Sequence, residues 1–315
     1  MASVLNVSAY LFTQIDDPAA LRPILRERAE AAGLAGTIIL AEEGINLFLA
    51  GAEADLRGFL RMLRVDGRFA ALTTKESWSE EQPFRRMLVK HKREIIRMDH
   101  PTIQPAAGRA PAVAPGTLRR WLDQGHDDAG REVVLLDTRN AFEVDYGTFD
   151  GALDWRIERF TQFPGAARAH RAELADKTVV SFCTGGIRCE KAAIHLRESG
   201  VDAYQLDGGI LGYFEHAGGA HFRGDCFVFD AREALTPALT PVSPSPSSPS
   251  PSSPSPSSTS PSSANHYGLA EPTQDSRESS RGSANPHGYV RASATAGLAR
   301  TPEIETLAGA AGGRR

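Results

Sequence analysis

Cysteine is scarce here: three of 315 residues, at 183, 189 and 226. That is too few for a disulfide framework and predicts a reducing, cytoplasmic setting. The opening run MASVLNVSAYLFTQIDD lacks the basic start and long apolar core of a signal peptide. No apolar stretch is long enough to span a bilayer, so no membrane association is expected. Strong charge of one sign is missing too: the formal net charge is −4, so a nucleic-acid partner would have to meet a local patch. There is no G-x-G-x-x-G fingerprint and no G-x-x-x-x-G-K-[ST] phosphate loop. Histidines 91, 100, 126, 170, 195, 216 and 221 are scattered, and the cysteines have no C-x2-C spacing. Neither pattern supports a metal site. Large apolar residues are also scarce after about Thr240, where a run of Pro and Ser begins. Such composition buries too little surface to offset chain entropy, so residues 236–315 are expected to form a disordered tail.

What is present is concentrated in VVSFCTGGIRCEKAAIHLRESG, residues 179–200. Val179 to Phe182 reads as a buried strand, and the run from Glu190 to Ser199 as a helix ended by Gly200. Between them lies a loop of Cys183, Thr184, Gly185, Gly186, Ile187, Arg188 and Cys189. Unpaired amides at a helix start, the helix dipole and the Arg188 charge all favour an anion there. A thiol in that place ionises more easily, and the thiolate is the nucleophilic form. Cys183 is the candidate nucleophile, with Cys189 expected at the far rim. The spacing from Cys183 to Arg188 is C-x4-R, one residue shorter than the C-x5-R of cysteine phosphatases. It makes a tighter cradle, suited to a sulfur carried on the cysteine.

Along the chain, Val4–Phe12, 36–41, 45–50 and 72–78 read as strands, with helices after Pro18 and over 53–63. The β-α-β-β-α-β order predicts a ferredoxin-like α+β domain over residues 1–100, its helices on one face of an antiparallel sheet. Its end, PFRRMLVKHKREIIRM, is the densest basic stretch of the chain. Arg85, Arg86, Lys90, Lys92 and Arg93 there are candidate RNA-phosphate contacts, or else the charged edge of a sheet. A Pro/Ala-rich linker (101–115) precedes a second domain over 116–235. Its β and α segments alternate, which predicts a parallel α/β sheet with ligands at the carboxyl ends of the strands. Asp137, Cys183 and Asp207-Gly208 fall at such ends, with Arg139 beside the first.

The series DTRNAFE, GTFDGA, FCTGGIRCEKA and LDGGI resembles the rhodanese domain. AEEGINLFLAG and PFRRMLVKHKREII resemble the N-terminal domain of the bacterial rhodanese-containing tRNA uridine hydroxylases. Both domains stand in that family's order over about residues 1–232. The resemblance implies oxygen-dependent conversion of wobble uridine to 5-hydroxyuridine in tRNA. Molecular oxygen would be the co-substrate, tRNA the partner, and no bound cofactor is evident. It places the rhodanese-type cysteine, able to bear a persulfide, on Cys183, with Asp137 and Arg139 in support. Many members carry a Cys/His-rich segment after the rhodanese domain; this chain has the Pro/Ser tail instead, so no metal site is expected. Cys183 has three courses open to it: attack on the pyrimidine, persulfide transfer, or a cycle through an oxidised thiol. Two alternatives stand beside hydroxylation: a sulfurtransferase working through a Cys183 persulfide, and a non-catalytic binding or redox-sensing module.

Overall fold

The computed structural model describes residues 3–242; most of the expected disordered tail lies outside them. The first domain runs β1 (Val4–Phe12), α1 (Pro18–Ala31), β2 (Ala35–Ala41), β3 (Gly44–Gly51), α2 (Glu53–Val65), β4 (Lys75–Ser79) and β5 (Met87–His91). Strand alternation puts Leu5, Val7, Ala9, Ile38, Leu40, Leu47 and Leu49 on one face. There they meet Leu21 and Leu25 of α1 and Leu56, Phe59, Leu60 and Leu63 of α2. Alternate strand residues must point the other way, so Ser8, Tyr10, Thr37, Ile39 and Phe48 lie on the face without helices. The sheet order is β4-β1-β3-β2-β5. Its first four strands make the expected antiparallel ferredoxin-like arrangement. The fifth adds to it: β5, cut from the basic segment, pairs parallel with β2 at the sheet edge.

The second domain comprises β6 (Ala112–Val113), α3 (Pro115–Gln124), β7 (Val133–Asp137), α4 (Ala141–Val144), β8 (Gly147–Phe149), β9 (Leu153–Asp154), α5 (Phe163–Ala169), β10 (Thr178–Phe182), α6 (Ile187–Glu198), β11 (Ala203–Leu206) and α7 (Gly209–Ala217). Short strands β12 (Phe222–Gly224), β13 (Cys226–Phe227) and β14 (Ala234–Leu235) follow. The main sheet, β6-β11-β10-β7-β9, is parallel at every pairing. Its centre, β10, is buried throughout because both faces are covered. Leu118 and Trp121 of α3 and Ile210 and Phe214 of α7 cover one face. Phe163 of α5 and Ala192, Ala193 and Leu196 of α6 cover the other.

Three boundaries differ from the expectation. The Pro/Ala-rich segment is not wholly a linker: Ile103 and Ala110 are buried, and Ala112–Val113 is the edge strand beside β11. Past residue 235 the chain still turns back on itself, with the Thr236 amide donating to Thr240 O at 2.9 Å and Leu239 packed on the core. Helix α6 starts at Ile187 rather than Glu190, because Gly186, at φ 102°, makes the turn and the helix follows at once.

Candidate active site between the domains

Cys183 leaves β10 at its carboxyl end with its side chain fully buried. The Gly186 amide donates to its Sγ at 3.2 Å. At φ 102° Gly186 occupies a conformation open to glycine, and a Cβ there would lie 3.1 Å from the Tyr10 hydroxyl. The next helix start pins the loop from behind. Ile210 N–H donates to Cys183 O at 2.9 Å and Leu211 N–H to Thr184 O at 3.1 Å. This requires a close approach at Gly209, where a Cβ would fall 2.4 Å from Cys183 O. The LDGG sequence thus lets α7 hold the Cys183 loop.

Burial opposes ionisation of Cys183, but the neighbouring Cys189, the Arg188 charge and the backbone amides of residues 188 and 189 outweigh it and bring the thiol down to about 5. The Arg188 guanidinium is committed to the buried Glu143 carboxylate at 2.5 and 2.7 Å. Asp137 and Arg139 form a second buried pair at 2.6 Å, completed by the Thr148 hydroxyl on Asp137 at 2.8 Å and by Gly147 O on Arg139 at 2.6 Å. The Thr138 hydroxyl caps Phe182 O at 2.8 Å, tying the end of β7 to the strand that presents Cys183. Asp137 and Arg139 therefore brace the strand ends and do not face the open space.

The expected rim position of Cys189 is not what the helix delivers. With α6 starting at 187, the third helical residue turns inward. Cys189 is fully buried, its Sγ donates to Gly186 O at 3.0 Å, and it lies 4.0 Å from the Cys183 sulfur. Burial and the neighbouring Cys183 push its thiol well up. Cys226 is buried as well, which pushes it up to about 12.

Above the loop is a cavity of about 710 Å³. Its floor includes Cys183, Thr184, Gly185 and Arg188, and its roof is the helix-free face of the first domain's sheet, with Ser8, Tyr10, Ile39 and Phe48. Lys75 of β4 joins them, its ammonium 5.0 Å from the centre of the Tyr10 ring. Burial draws its pKa down. Asn6 also lines this space and holds a buried Oδ1 with no hydrogen-bond partner.

Buried polar locks join roof to floor. Glu190 of α6 accepts from the Tyr10 hydroxyl at 2.9 Å and from Arg109 at 2.5 and 2.8 Å. Lys191 donates to Glu43, Glu94 and Ile96 O at 2.9, 2.8 and 3.0 Å. Phe12, Ala41 and Ile95 close around Ile187. No sequence motif marks the roof residues as part of a site. The one signal that bears on them is the polar half of β1 (Asn6, Ser8), which reads as a solvent face.

Of the basic candidates, Lys90 lines the cavity, and Arg85, Arg86, Lys92 and Arg93 are exposed along the β5 edge and its flanks. Arg93 is paired with Asp99. Among the described residues no three His, Cys, Asp or Glu side chains gather closely enough to hold a metal ion. His195 is buried against Phe163 and His100 with neither ring nitrogen partnered. No helix among them is long and apolar enough to cross a membrane.

Comparison with known proteins agrees with this two-part architecture. Residues 4–95 match the family model described as UPF0176 acylphosphatase like domain, and residues 115–216 match the Rhodanese-like domain. A protein of Variovorax paradoxus (strain S110) named tRNA uridine(34) hydroxylase is 69% identical over 241 residues, which is 76% of this chain and 92% of that one. One of the same name from Delftia acidovorans (strain DSM 14801 / SPH-1) is 64% identical over 246 residues, 77% of this chain and 94% of that one.

Proposed function

The chain belongs to the tRNA uridine(34) hydroxylase family, and we propose that it hydroxylates the wobble uridine of tRNA to 5-hydroxyuridine with dioxygen as co-substrate and the Cys183 thiolate as the reacting group. The observation that carries this reading is the position of Cys183 on the floor of a cavity whose roof is the other domain. A stacked base cannot reach such a recess, so the nucleotide enters flipped out of the anticodon stack. The cavity volume lies in the range that encloses a small ligand. Asn6 lines the recess and has a buried Oδ1 without a partner, an acceptor that a turn of the side chain would bring to the N3–H of uracil. Lys75 supplies a cation beside the loop, suited to negative charge developing on a uracil carbonyl.

The tRNA body then lies outside the cavity mouth, and the basic edge of β5 is the surface proposed to meet its phosphates. Lys90 joins the two regions, since it belongs both to the edge strand and to the cavity wall. Arg188, its guanidinium held by Glu143, keeps its charge near the Cys183 sulfur and favours the ionised form.

Purified protein, unmodified tRNA and air, followed by nucleoside mass spectrometry, test the proposal. Hydroxylated uridine at position 34 under air and none under argon is the expected result. A thiosulfate-to-cyanide assay runs alongside. Rapid sulfur transfer with no hydroxylated tRNA would overturn the reading in favour of a sulfurtransferase.

A further inference from the structure

One buried nucleophile has no part in the chemistry so far. Cys189 closes the reactive loop in sequence yet is absent from the cavity wall. It sits behind the floor, where no tRNA atom can reach it. What its sulfur does meet is the sulfur of Cys183, 4.0 Å away. A disulfide needs about 2.05 Å between sulfurs, so the two must close by roughly 2 Å from their present 4.0 Å. The pair is also polarised: Cys183 accepts the Gly186 amide, whereas Cys189 keeps its proton on Gly186 O. The partner that lines the cavity is set up to react first, and the hidden one to react only with what the first becomes.

Resting on the oxygen reading above, we infer that Cys189 is the resolving cysteine of the hydroxylation and closes each turnover by forming a disulfide with Cys183. In the first step the O–O bond breaks: one oxygen atom enters the C5–H bond of uracil as a hydroxyl, and the other forms an S–O bond on Cys183 and takes up the thiol proton. Uridine, dioxygen and the Cys183 thiol become hydroxyuridine and a Cys183 sulfenic acid. Carbon and sulfur each lose two electrons, and dioxygen gains four. In the second step the Cys189 sulfur attacks the sulfenic sulfur, the S–O bond breaks, and hydroxide takes up the Cys189 proton and leaves as water. The products are the disulfide and water, the condensation by which a sulfenic acid meets a neighbouring thiol. A dithiol reductant then returns both cysteines to thiols by exchange. Burial keeps the resolving thiol itself away from oxidants until the sulfenic acid forms beside it.

The experiment uses the full chain, reduced and freed of thiols, with unmodified tRNA under 18O2. Wild-type protein should make one hydroxyuridine per chain and stop. Its titratable thiols should fall from the three of the sequence to one, with the peptide joining residues 183 and 189 lighter by two hydrogens. A dithiol should restore turnover. Cys189→Ser should also make one hydroxyuridine per chain, but leave a sulfenic acid on Cys183, seen as an 18O mass gain in the untrapped protein and, in a parallel sample, as the thioether formed with a 1,3-dione. Cys189→Ala should behave alike, and thermal melts report whether either variant is folded. Hydroxyuridine formed by wild type while three thiols still titrate would overturn the inference alone. So would a folded Cys189 variant whose Cys183 stays a free thiol after making product. No product from wild type under oxygen would overturn the oxygen reading, and this inference with it.

Discussion

Nζ of Lys191 lies 2.8 Å from Oε2 of Glu43, so the helix that starts at the reactive loop is ion-paired to the hairpin of the other domain. Lys191 is 1% exposed, and Glu94 shares the same ammonium at 2.8 Å. Removing one partner of a buried pair strands the others, which costs about 3–5 kcal/mol. Lys191→Met should therefore lower stability in urea denaturation by that order. Adding Glu43→Gln and Glu94→Gln should recover part of it. An unchanged midpoint for the single variant would show that the domains do not depend on this ion pair.

Gly209→Ala places a methyl group 2.4 Å from Cys183 O and 2.7 Å from Gly186 N, at φ +63°. The strained backbone alone costs about 1–3 kcal/mol. Because the clash is with backbone of the reactive loop, the loop must move, and the hydrogen bond from the Gly186 amide to Cys183 breaks. The variant should fold with a lower melting temperature and a Cys183 thiol that ionises at higher pH. Wild-type hydroxylation by this variant would contradict the role given to α7.

The Cys183 thiol, held at about 5 against an ordinary 9.0, sets a pH dependence. Hydroxylation should be level through neutrality and fall about tenfold per pH unit below about 5, as the thiolate is protonated. The stability that this ionised group contributes is complete above 9.0 and is lost as pH falls through about 5. Cys183→Ser should lack that part of the stability profile. Ultraviolet titration of the thiolate in wild type and Cys183→Ser checks the assignment.

Neutralising Lys90, Lys92 and Arg93 removes exposed positive charge along the β5 edge. If each meets a phosphate, tRNA affinity drops and the log–log salt slope shrinks by up to about one unit for every phosphate left without its cation. With Lys92 and Arg93 alone neutralised, sulfur chemistry at Cys183 should be unchanged, since neither lines the cavity. An unaltered slope would leave β5 as an edge strand whose charge discourages sheet-to-sheet pairing.

The loop itself is legible in the sequence because its chemistry is local. A β-branched and aromatic β10, then Cys183, then glycines and a helix start specify a strand–loop–helix unit without reference to anything distant. The alternation of strands and helices likewise predicts the parallel sheet. The roof is not legible. Ser8, Tyr10 and Lys75 meet a loop more than 100 residues away in sequence, and their alternation with apolar residues is also how a solvent-facing strand reads. The orientation of Cys189 depends on a single boundary. A helix expected from Glu190 leaves residue 189 in the loop, and a helix from Ile187 turns it into the core behind Cys183. The parallel fifth strand is hidden for a related reason: charge at Arg85, Arg86, Lys90, Lys92 and Arg93 states that an edge is exposed, not which neighbour it pairs with.

The most direct test of the account is hydroxylated uridine per tRNA formed by Cys183→Ser beside wild type, at matched tRNA occupancy. Cys183→Ser should bind tRNA with wild-type affinity and give no product above the uncatalysed background. Product at the wild-type rate from Cys183→Ser would contradict it.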